Sequence, residues 1–503
     1  MPDRRGAKAV AGRPAARAAR AEGRPSRSSL PSGRPGPAGH SGPSRPSRPS
    51  GRRVGLALAG GGPLGAIYEI GTLVALEEAL PGLAINDLDG YVGVSAGALV
   101  AAGLANGMTP RQLCRAFIEG DGPAADRIHP SLFFRPALGE YAARLARLPA
   151  LLAQAASGFA FGSAFGGPLG RGSWLVALER LGQALPTGLF SNAALRERLH
   201  EVFSQPGRTD DFRALQRRLV VVATDLDSGA AAPFGQPGWD SVPISQAVVA
   251  SAALPGLFPP VPIEGLHGPH GPHDAHHAHH EQGPQDPPGA HGAAPSGQRR
   301  WYVDGALKKT LHARVLLDMG LDLVLCLNPL VPFDASAHGA GQEHRHHRVL
   351  GGAHERIPQL VRGGLPVVLS QTFRTLIHSR LELGMKGYEA SHPGTDIVLF
   401  EPDQRDPTLF LANLFSYSQR RSLAEHAYQR TRADLRSRRG SLRPVLARHG
   451  LALDDAVLDD PARRLLGRRR LDAAAGRPER PSAQALRRLD EVLADLQRLL
   501  PQG

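Results

Sequence analysis

Ser95 is the residue of this sequence best suited to covalent chemistry, because of its neighbours. It is the centre of Gly93-Val94-Ser95-Ala96-Gly97, a G-x-S-x-G sequence between a short apolar run and an Ala/Leu/Val-rich segment. A serine on a tight strand-to-helix turn needs small neighbours, and the amides of the following helix stabilise negative charge. We predict that Ser95 is a nucleophile, and a serine with a purely structural role is the alternative.

A glycine-rich sequence, Gly60-Gly61-Gly62-Pro63-Leu64-Gly65, directly follows the apolar run that begins at Val54. Its backbone N–H groups are free to face a ligand oxygen, as in an oxyanion hole. The sequence also matches the dinucleotide-binding pattern G-x-G-x-x-G. That interpretation needs a carboxylate at the end of the next strand, where this sequence has Gly93-Val94-Ser95. We favour the oxyanion hole, with a structural turn as the remaining alternative.

Asp304 is the third candidate, since it follows the apolar Trp301-Tyr302-Val303 and precedes Gly305-Ala306. A carboxylate at a strand end becomes a better general base when partial burial raises its pKa from about 4. Asp-Gly pairs are common in ordinary turns, so this motif gains its significance from the two that precede it.

In this order, the glycine loop, the G-x-S-x-G motif and the Asp-Gly-Ala motif resemble the patatin-like phospholipases. Ala223-Thr224-Asp225-Leu226 and the run from Ser251 to Pro260 resemble bacterial members of that family, and the resemblance covers roughly residues 54–331. It implies a Ser-Asp dyad of Ser95 and Asp304 that cleaves fatty-acyl esters of lipids through an acyl-enzyme, with no metal or other cofactor. By the same resemblance, the oxyanion hole is formed by Gly60, Gly61 and Gly62, and the other motif glycines are Gly65, Gly93, Gly97 and Gly305.

One position departs from the family pattern. Members often have a basic residue just before the last glycine of the loop, and this chain has Leu64. The departure favours the broad class of lipid esters over phospholipids in particular. Head-group preference, and hydrolysis as against acyl transfer, stay open.

Two rival functions are compatible with the same residues. The first is an esterase of the α/β-hydrolase type, in which His312, His378 or His392 would complete a Ser-Asp-His triad. The second is a lipid-binding protein that keeps a vestigial site without catalysis.

The motifs require elements that bring them together. Apolar runs end directly before the glycine loop and before Ser95, and each is followed by a helix-like segment; further strand-like runs begin at Leu219, Val261, Trp301 and Leu323. Repeated strand-turn-helix units are typical of a parallel sheet covered by helices. We predict a three-layer α/β/α fold with a mainly parallel central sheet, plus helical additions and disordered termini.

The catalytic domain is predicted over residues 54–331, with a helical insert at 130–205 and a disordered His/Gly/Pro-rich insert at 267–300. The apolar stretch Leu148 to Leu169 is either a flap over the site or part of a packed helical subdomain. A helical region is expected at 355–440 and a charged tail at 441–503, with one amphipathic helix from Ala483 to Leu500.

The basic charge is concentrated at the beginning of the chain. Residues 1–53 hold 13 Lys and Arg against Asp3 and Glu22, while the whole chain has a formal net charge of +13. A solvated, disordered arm explains this pattern; attraction to anionic lipid or nucleic acid is the alternative, and we expect no nucleic-acid partner. The arm or the apolar flap would supply peripheral membrane contact. The oligomeric state is not predicted.

Other segments narrow the function further. Only Cys114 and Cys326 are present, so no disulfide framework is indicated, and no signal peptide or transmembrane run is seen. We expect a cytoplasmic or peripheral membrane protein. The insert has eight histidines, among them His276, His277, His279 and His280, and a smaller group includes His344, His346 and His347. Without a fixed scaffold such groups favour a disordered loop over a metal site.

Overall fold

A computed structural model describes residues 52–128, 132, 135–146, 149, 186–264, 299–335, 360–410 and 419–466. The predictions for the basic arm up to residue 51, nearly all of the apolar stretch Leu148 to Leu169, both histidine groups and the helix at Ala483 to Leu500 lie outside these residues. Of the predicted helical insert, residues 138–146 are helical, and a further helix begins at Ala193.

The eight strands belong to one sheet, with the order β5-β6-β3-β2-β1-β7-β8 and β4 paired to β3. β1, β2, β3, β7 and β8 are parallel, whereas β4 and β6 are antiparallel to β3 and β5 is antiparallel to β6. The strands are β1 (Val54–Leu58), β2 (Gly90–Val94), β3 (Arg218–Asp225), β4 (Ala231–Phe234), β5 (Val261–Ile263), β6 (Arg300–Asp304), β7 (Leu323–Leu327) and β8 (Asp396–Phe400).

Helices occupy much of the rest of the described chain. They are α1 (Gly62–Ala79), α2 (Ala96–Ala105), α3 (Pro110–Leu113, continued by a π-helical turn at Cys114–Glu119), α4 (Ala193–Phe203), α5 (Ile244–Ser251), α6 (Arg314–Asp318), α7 (Gly364–Ser391), α8 (Pro407–Phe410), α9 (Arg420–Ser437), α10 (Arg439–Arg448) and α11 (Asp455–Asp459).

Alternate strand residues point into two separate apolar cores, as the pleat of a sheet requires. In β1, Leu56 and Leu58 pack into the larger core with residues of α1, α2, α5 and α9, while Ala57 packs into the second core with residues of α6 and α7. The sheet is therefore covered on both faces, and the predicted three-layer fold is confirmed.

The sheet and its core extend past residue 331, where the motif-bearing region was expected to end. β8 pairs with β7, and α9 packs closely on α1: a Cβ on Gly71 would lie 2.6 Å from the Ala424 carbonyl oxygen, and Thr431 donates to Thr72 at 3.0 Å. The first part of the expected charged tail also contributes to this core, with buried Leu442, Leu446, Leu458, Leu465 and Leu466.

Within the described ranges, no helix combines the length and the apolar character that crossing a membrane requires.

Candidate active site

The five parallel strands β1, β2, β3, β7 and β8 end at one edge of the sheet, and antiparallel β6 begins beyond that edge and runs in the opposite direction. β2 pairs with β3 so that Val94 lies opposite Val222, and antiparallel β6 pairs with the next part of β3 so that Asp304 lies opposite Ala223. β6 therefore ends where β2 ends. This register brings Ser95 and Asp304 together, although 209 positions separate them in the sequence.

Ser95 has a strained backbone. Its φ of 53° makes it the one non-glycine residue with positive φ in the described part of the chain, its ψ is −120°, and the residue is 6 % exposed. The two flanking motif glycines leave room for this turn. A Cβ on Gly93 would lie 2.5 Å from the Gly97 carbonyl oxygen, and one on Gly97 would lie 2.6 Å from the Leu58 and Ala59 carbonyl oxygens.

Ser251, the last residue of α5, fixes the backbone at Ser95. Its Oγ accepts a hydrogen bond from the Ser95 N–H at 2.8 Å and donates one to the Val222 carbonyl oxygen at 2.6 Å. Ser251 is fully buried. The sequence did not predict this role, although Ser251 begins the run that resembles the bacterial patatin-like proteins.

Asp304 is held by backbone groups and is 4 % exposed. Its N–H donates to the Ala253 carbonyl oxygen at 3.0 Å, and its Oδ1 accepts the Ala306 N–H at 2.8 Å. Burial raises the pKa of Asp304 to about 6, while hydrogen bonds from the Ser95 side chain and from Ala306 oppose the rise. The carboxylate is therefore a stronger base than an exposed aspartate and lies beside the serine side chain.

Gly305 allows the chain to turn away after β6. A Cβ at this position would lie 2.1 Å from the Val222 carbonyl oxygen. Because such an approach is sterically forbidden, only glycine lets Asp304 end the strand directly beside β2.

The glycine loop lies against Ser95. A Cβ on Gly60 would be 3.1 Å from Ser95 Cβ, and Gly62 has a positive φ of 60°. Gly61 and Gly65 both lie close to Pro329, which follows β7. A Cβ on Gly61 would lie 2.7 Å from Pro329 Cγ, and a Cβ on Gly65 would lie 3.1 Å from it. The loop leads into α1, so the free amides at the N-terminus of this 18-residue helix lie next to the serine. The contact with Pro329 was not predicted.

Two of the three candidate histidines are paired with carboxylates other than Asp304. His378 lies 3.3 Å from Glu382 and 3.6 Å from Glu401, and His392 lies 3.3 Å from Asp318. His312 is buried near the carbonyl groups of Gly305 and Lys309, and burial lowers its pKa to about 3.

No described group of three or more His, Cys, Asp or Glu side chains has an arrangement that could hold a metal ion. Cys114 and Cys326 are both buried and unbonded to each other.

Comparison with known proteins identifies one family. The family model described as Patatin-like phospholipase matches residues 56–317, about half of the chain. Among solved structures, VipD from Legionella pneumophila is similar at 18 % sequence identity with a TM-score of 0.25; the match covers 57 % of this chain and 52 % of VipD, so this chain spans about half the length of that protein. No protein of curated function matches the chain.

Proposed function

Since the chain belongs to the patatin-like phospholipase family, a family of lipid acyl hydrolases, we propose that Ser95 and Asp304 are the catalytic dyad of a serine hydrolase that cleaves fatty-acyl esters of lipids. The observation that carries the proposal is the strand register that places the two residues side by side: Asp304 at the end of β6 lies level with Ser95 at the end of β2, and the Ser95 side chain is close enough to lower the pKa of the buried Asp304 carboxylate.

In the first half-reaction, Ser95 Oγ attacks the ester carbonyl carbon while its proton passes to the Asp304 carboxylate. The tetrahedral oxyanion is stabilised by amides of the loop Gly60–Gly62, chiefly those of Gly61 and Gly62. When the intermediate collapses, Asp304 gives its proton to the departing alcohol and the acyl group stays on Ser95.

In the second half-reaction, water attacks the acyl-enzyme. Asp304 accepts a proton from this water, the oxyanion forms at the same loop, and the fatty acid leaves as Ser95 Oγ recovers its proton. The same carboxylate acts as base and acid in turn, which requires a pKa near neutrality. The rise to about 6 caused by burial supports this role.

The backbone around the dyad supports catalysis over a vestigial role. Ser95 keeps a strained conformation, and strain of this kind costs about 1–3 kcal/mol and is concentrated at functional sites. Helices α1 and α2 both begin at the site, at Gly62 and Ala96. Their dipoles therefore stabilise the negative charge that develops on the substrate oxygen.

The Ser-Asp-His alternative is less well supported. His378 and His392 are paired with carboxylates other than Asp304, and the lowered pKa of His312 makes it a poor proton acceptor. We therefore propose a dyad without histidine.

Covalent labelling tests the proposal directly. A fluorophosphonate should label the wild-type protein at Ser95, and it should label neither Ser95→Ala nor Asp304→Asn. His312→Ala, His378→Ala and His392→Ala should each keep labelling, and loss in one of them would favour the triad. Absence of labelling in folded wild-type protein would refute the proposed hydrolase activity.

Mass-spectrometric profiles of the products that wild-type protein and Ser95→Ala form from mixed lipids would then identify the class of ester that is cleaved and reveal any acyl transfer.

A further inference from the structure

Helix α7 is apolar on two opposite faces. Its inner face packs on the second core through buried Leu381 and Tyr388. Its outer side has a row of exposed apolar side chains at helical spacing, which we name the outer stripe. The stripe consists of Leu365, Leu369, Phe373, Leu376 and Leu383, whose exposed fractions are 70 %, 44 %, 52 %, 48 % and 69 %. A helix with apolar residues all round is normally covered on every side.

The first half of α7 lies at the edge of the sheet that holds the dyad. Gln371 exchanges two hydrogen bonds with the backbone of Phe333, shortly after the end of β7, at 3.1 Å and 2.9 Å. Further along the helix, Arg380 donates to the Leu307 carbonyl oxygen at 3.1 Å, three residues after Asp304. The outer stripe is therefore on a helix anchored beside the candidate site.

Other exposed apolar side chains surround the same edge. Leu254 follows Ala253, whose carbonyl oxygen accepts the Asp304 N–H. Beyond that edge, Leu226, which follows β3, donates its N–H to the carbonyl oxygen of Trp301 in β6. Leu189 bonds to Gly256. All four of these side chains, Leu254, Leu226, Trp301 and Leu189, are exposed.

Ion pairs lie at both ends of the strands. Before β2 and β3, Arg217 pairs with Asp87 at 2.6 Å, and at the start of β8, Arg448 pairs with Asp396 at 2.6 Å; at the dyad edge, Arg300 pairs with Asp225 at 2.9 Å. Exposed apolar side chains therefore lie at the dyad edge beside ion pairs, and Leu138 and Leu145 in the helical segment 138–146 are exposed as well.

The charges along the first part of α7, up to Leu381, are cationic. From Leu360 to Leu381 the sequence has three arginines and no Asp or Glu, whereas exposed Glu382 lies beside Leu383 and pairs with His378 at 3.3 Å. Arg380 and Lys386 are exposed on α7, and Lys308 is exposed four residues after Asp304. Apolar side chains bordered by cations complement an anionic lipid surface, into which such side chains insert while the cations stay with the head groups.

We infer that the outer stripe of α7, together with the exposed apolar side chains around the dyad, is the surface that binds the lipid–water interface containing the substrate. The inference rests on the proposed lipid ester hydrolysis, because a substrate held in an interface must enter from the side of the protein that contacts it. Contact through this surface would place Ser95 toward the lipid and the opposite edge of the sheet toward water.

Vesicle sedimentation tests the surface without depending on catalysis. The full chain with Ser95→Ala, which leaves the lipids unchanged, is mixed with vesicles of phosphatidylcholine and phosphatidylglycerol. Adding Leu369→Ser, Phe373→Ser and Leu376→Ser together should weaken binding on the order of 100-fold, because three inserted side chains lose their transfer from water. Leu383→Ser alone should weaken it several-fold. Circular dichroism and the melting temperature establish that each variant is folded.

Glu389→Ser is the matched control, since it changes an exposed position of α7 outside the stripe and removes a negative charge. It should bind at least as well as the parent protein. Because the basic residues 1–53 add a purely ionic attraction, binding is measured at low and high salt; the effect of the triple variant should persist at about 1 M salt, where charges are screened beyond ~3 Å.

Unchanged vesicle binding by the triple variant would overturn the inference, and so would a wild-type protein that binds no vesicles at high salt. If ultracentrifugation shows that the triple variant only converts a dimer to a monomer while vesicle binding persists, the stripe is a contact between copies of the chain and the inference is wrong. Failure of fluorophosphonate labelling would refute the dyad and leave the binding result intact, so the two proposals fail separately.

Discussion

The Oγ atom of Ser251 accepts the N–H of Ser95 at 2.8 Å and thereby ties the strained turn to helix α5. Because Ser251 also donates to the Val222 carbonyl oxygen, one hydroxyl connects the nucleophile, the central strand β3 and the helix that precedes the Asp304 contact at Ala253.

Ser251→Ala should therefore reduce kcat with little change in KM. The variant leaves the buried Ser95 N–H without a partner, which costs about 1–3 kcal/mol of stability, and the hydroxyl of Ser95 is less well positioned. Steady-state kinetics and chemical denaturation measure the two effects.

Ser245→Ala is the control for that variant. Ser245 is also a buried serine of α5, and its hydroxyl donates to Asp210 at 2.7 Å, away from the dyad. It should lose similar stability and keep kcat. An equal loss of kcat in both variants would show that Ser251 acts only through stability.

In the proposed mechanism, the pH dependence of catalysis follows from Asp304. Burial raises its pKa to about 6, and the dyad needs the ionised form, so kcat/KM should fall as the pH decreases through 6. A pH–rate profile that is flat down to pH 4.5 would contradict Asp304 as the base.

Asp304→Asn should be inactive and yet more stable than the wild type at high pH. The folded-state pKa lies above the unfolded value of 3.8, so ionisation destabilises the fold as the pH rises through 6, on the order of 3 kcal/mol for a shift of about two pH units. Below pH 3.8 the difference should vanish. Urea denaturation at several pH values measures it, and a pH-independent difference would argue against this cause.

Ser95→Gly and Ser95→Ala should differ in stability although both abolish turnover. Alanine keeps the strain of the positive φ at residue 95, whereas glycine adopts this conformation freely. We expect Ser95→Gly to be more stable than Ser95→Ala by about 1 kcal/mol. Equal melting temperatures would mean that the turn stores no strain.

Glu69 offers a prediction outside the site. This residue of α1 is fully buried, neither carboxylate oxygen has a hydrogen-bond partner, and burial raises its pKa well above the ordinary value. Because the folded-state pKa is raised, stability should fall as the pH increases above about 4.5. Glu69→Gln should remove this contribution and be more stable at pH 8; Glu389→Gln, at an exposed position of α7, should change little.

The sequence singled out Ser95, Asp304 and the motif glycines, which the structure brings together, whereas the contacts around them were not predicted. Gly93, Gly97 and Gly305 stand where a side chain would collide with backbone oxygens, so local sequence carries that information. The roles of Ser251 and Pro329 could not be predicted, because each depends on how distant strands pair. The antiparallel pairing of β6 with β3 could not be predicted either, because the segment 265–298, which connects β5 to β6, has no periodic sequence pattern.

The end of the core was also hard to predict. Residues 441–466 are rich in charge, and their buried leucines are spaced so widely that the segment looked like a surface tail. Their burial depends on α9, which itself packs on α1.

The close packing of α1 against α9 has a consequence for biosynthesis. Thr72 and Thr431 are 359 residues apart, and a ribosome that adds about 5–20 residues per second needs roughly 20–70 s to translate that distance. During this interval the apolar face of α1 has been synthesised and its partner helix has not. The nascent chain must keep that face from associating wrongly, and the surroundings of Ser95 are complete only after α9 has been synthesised.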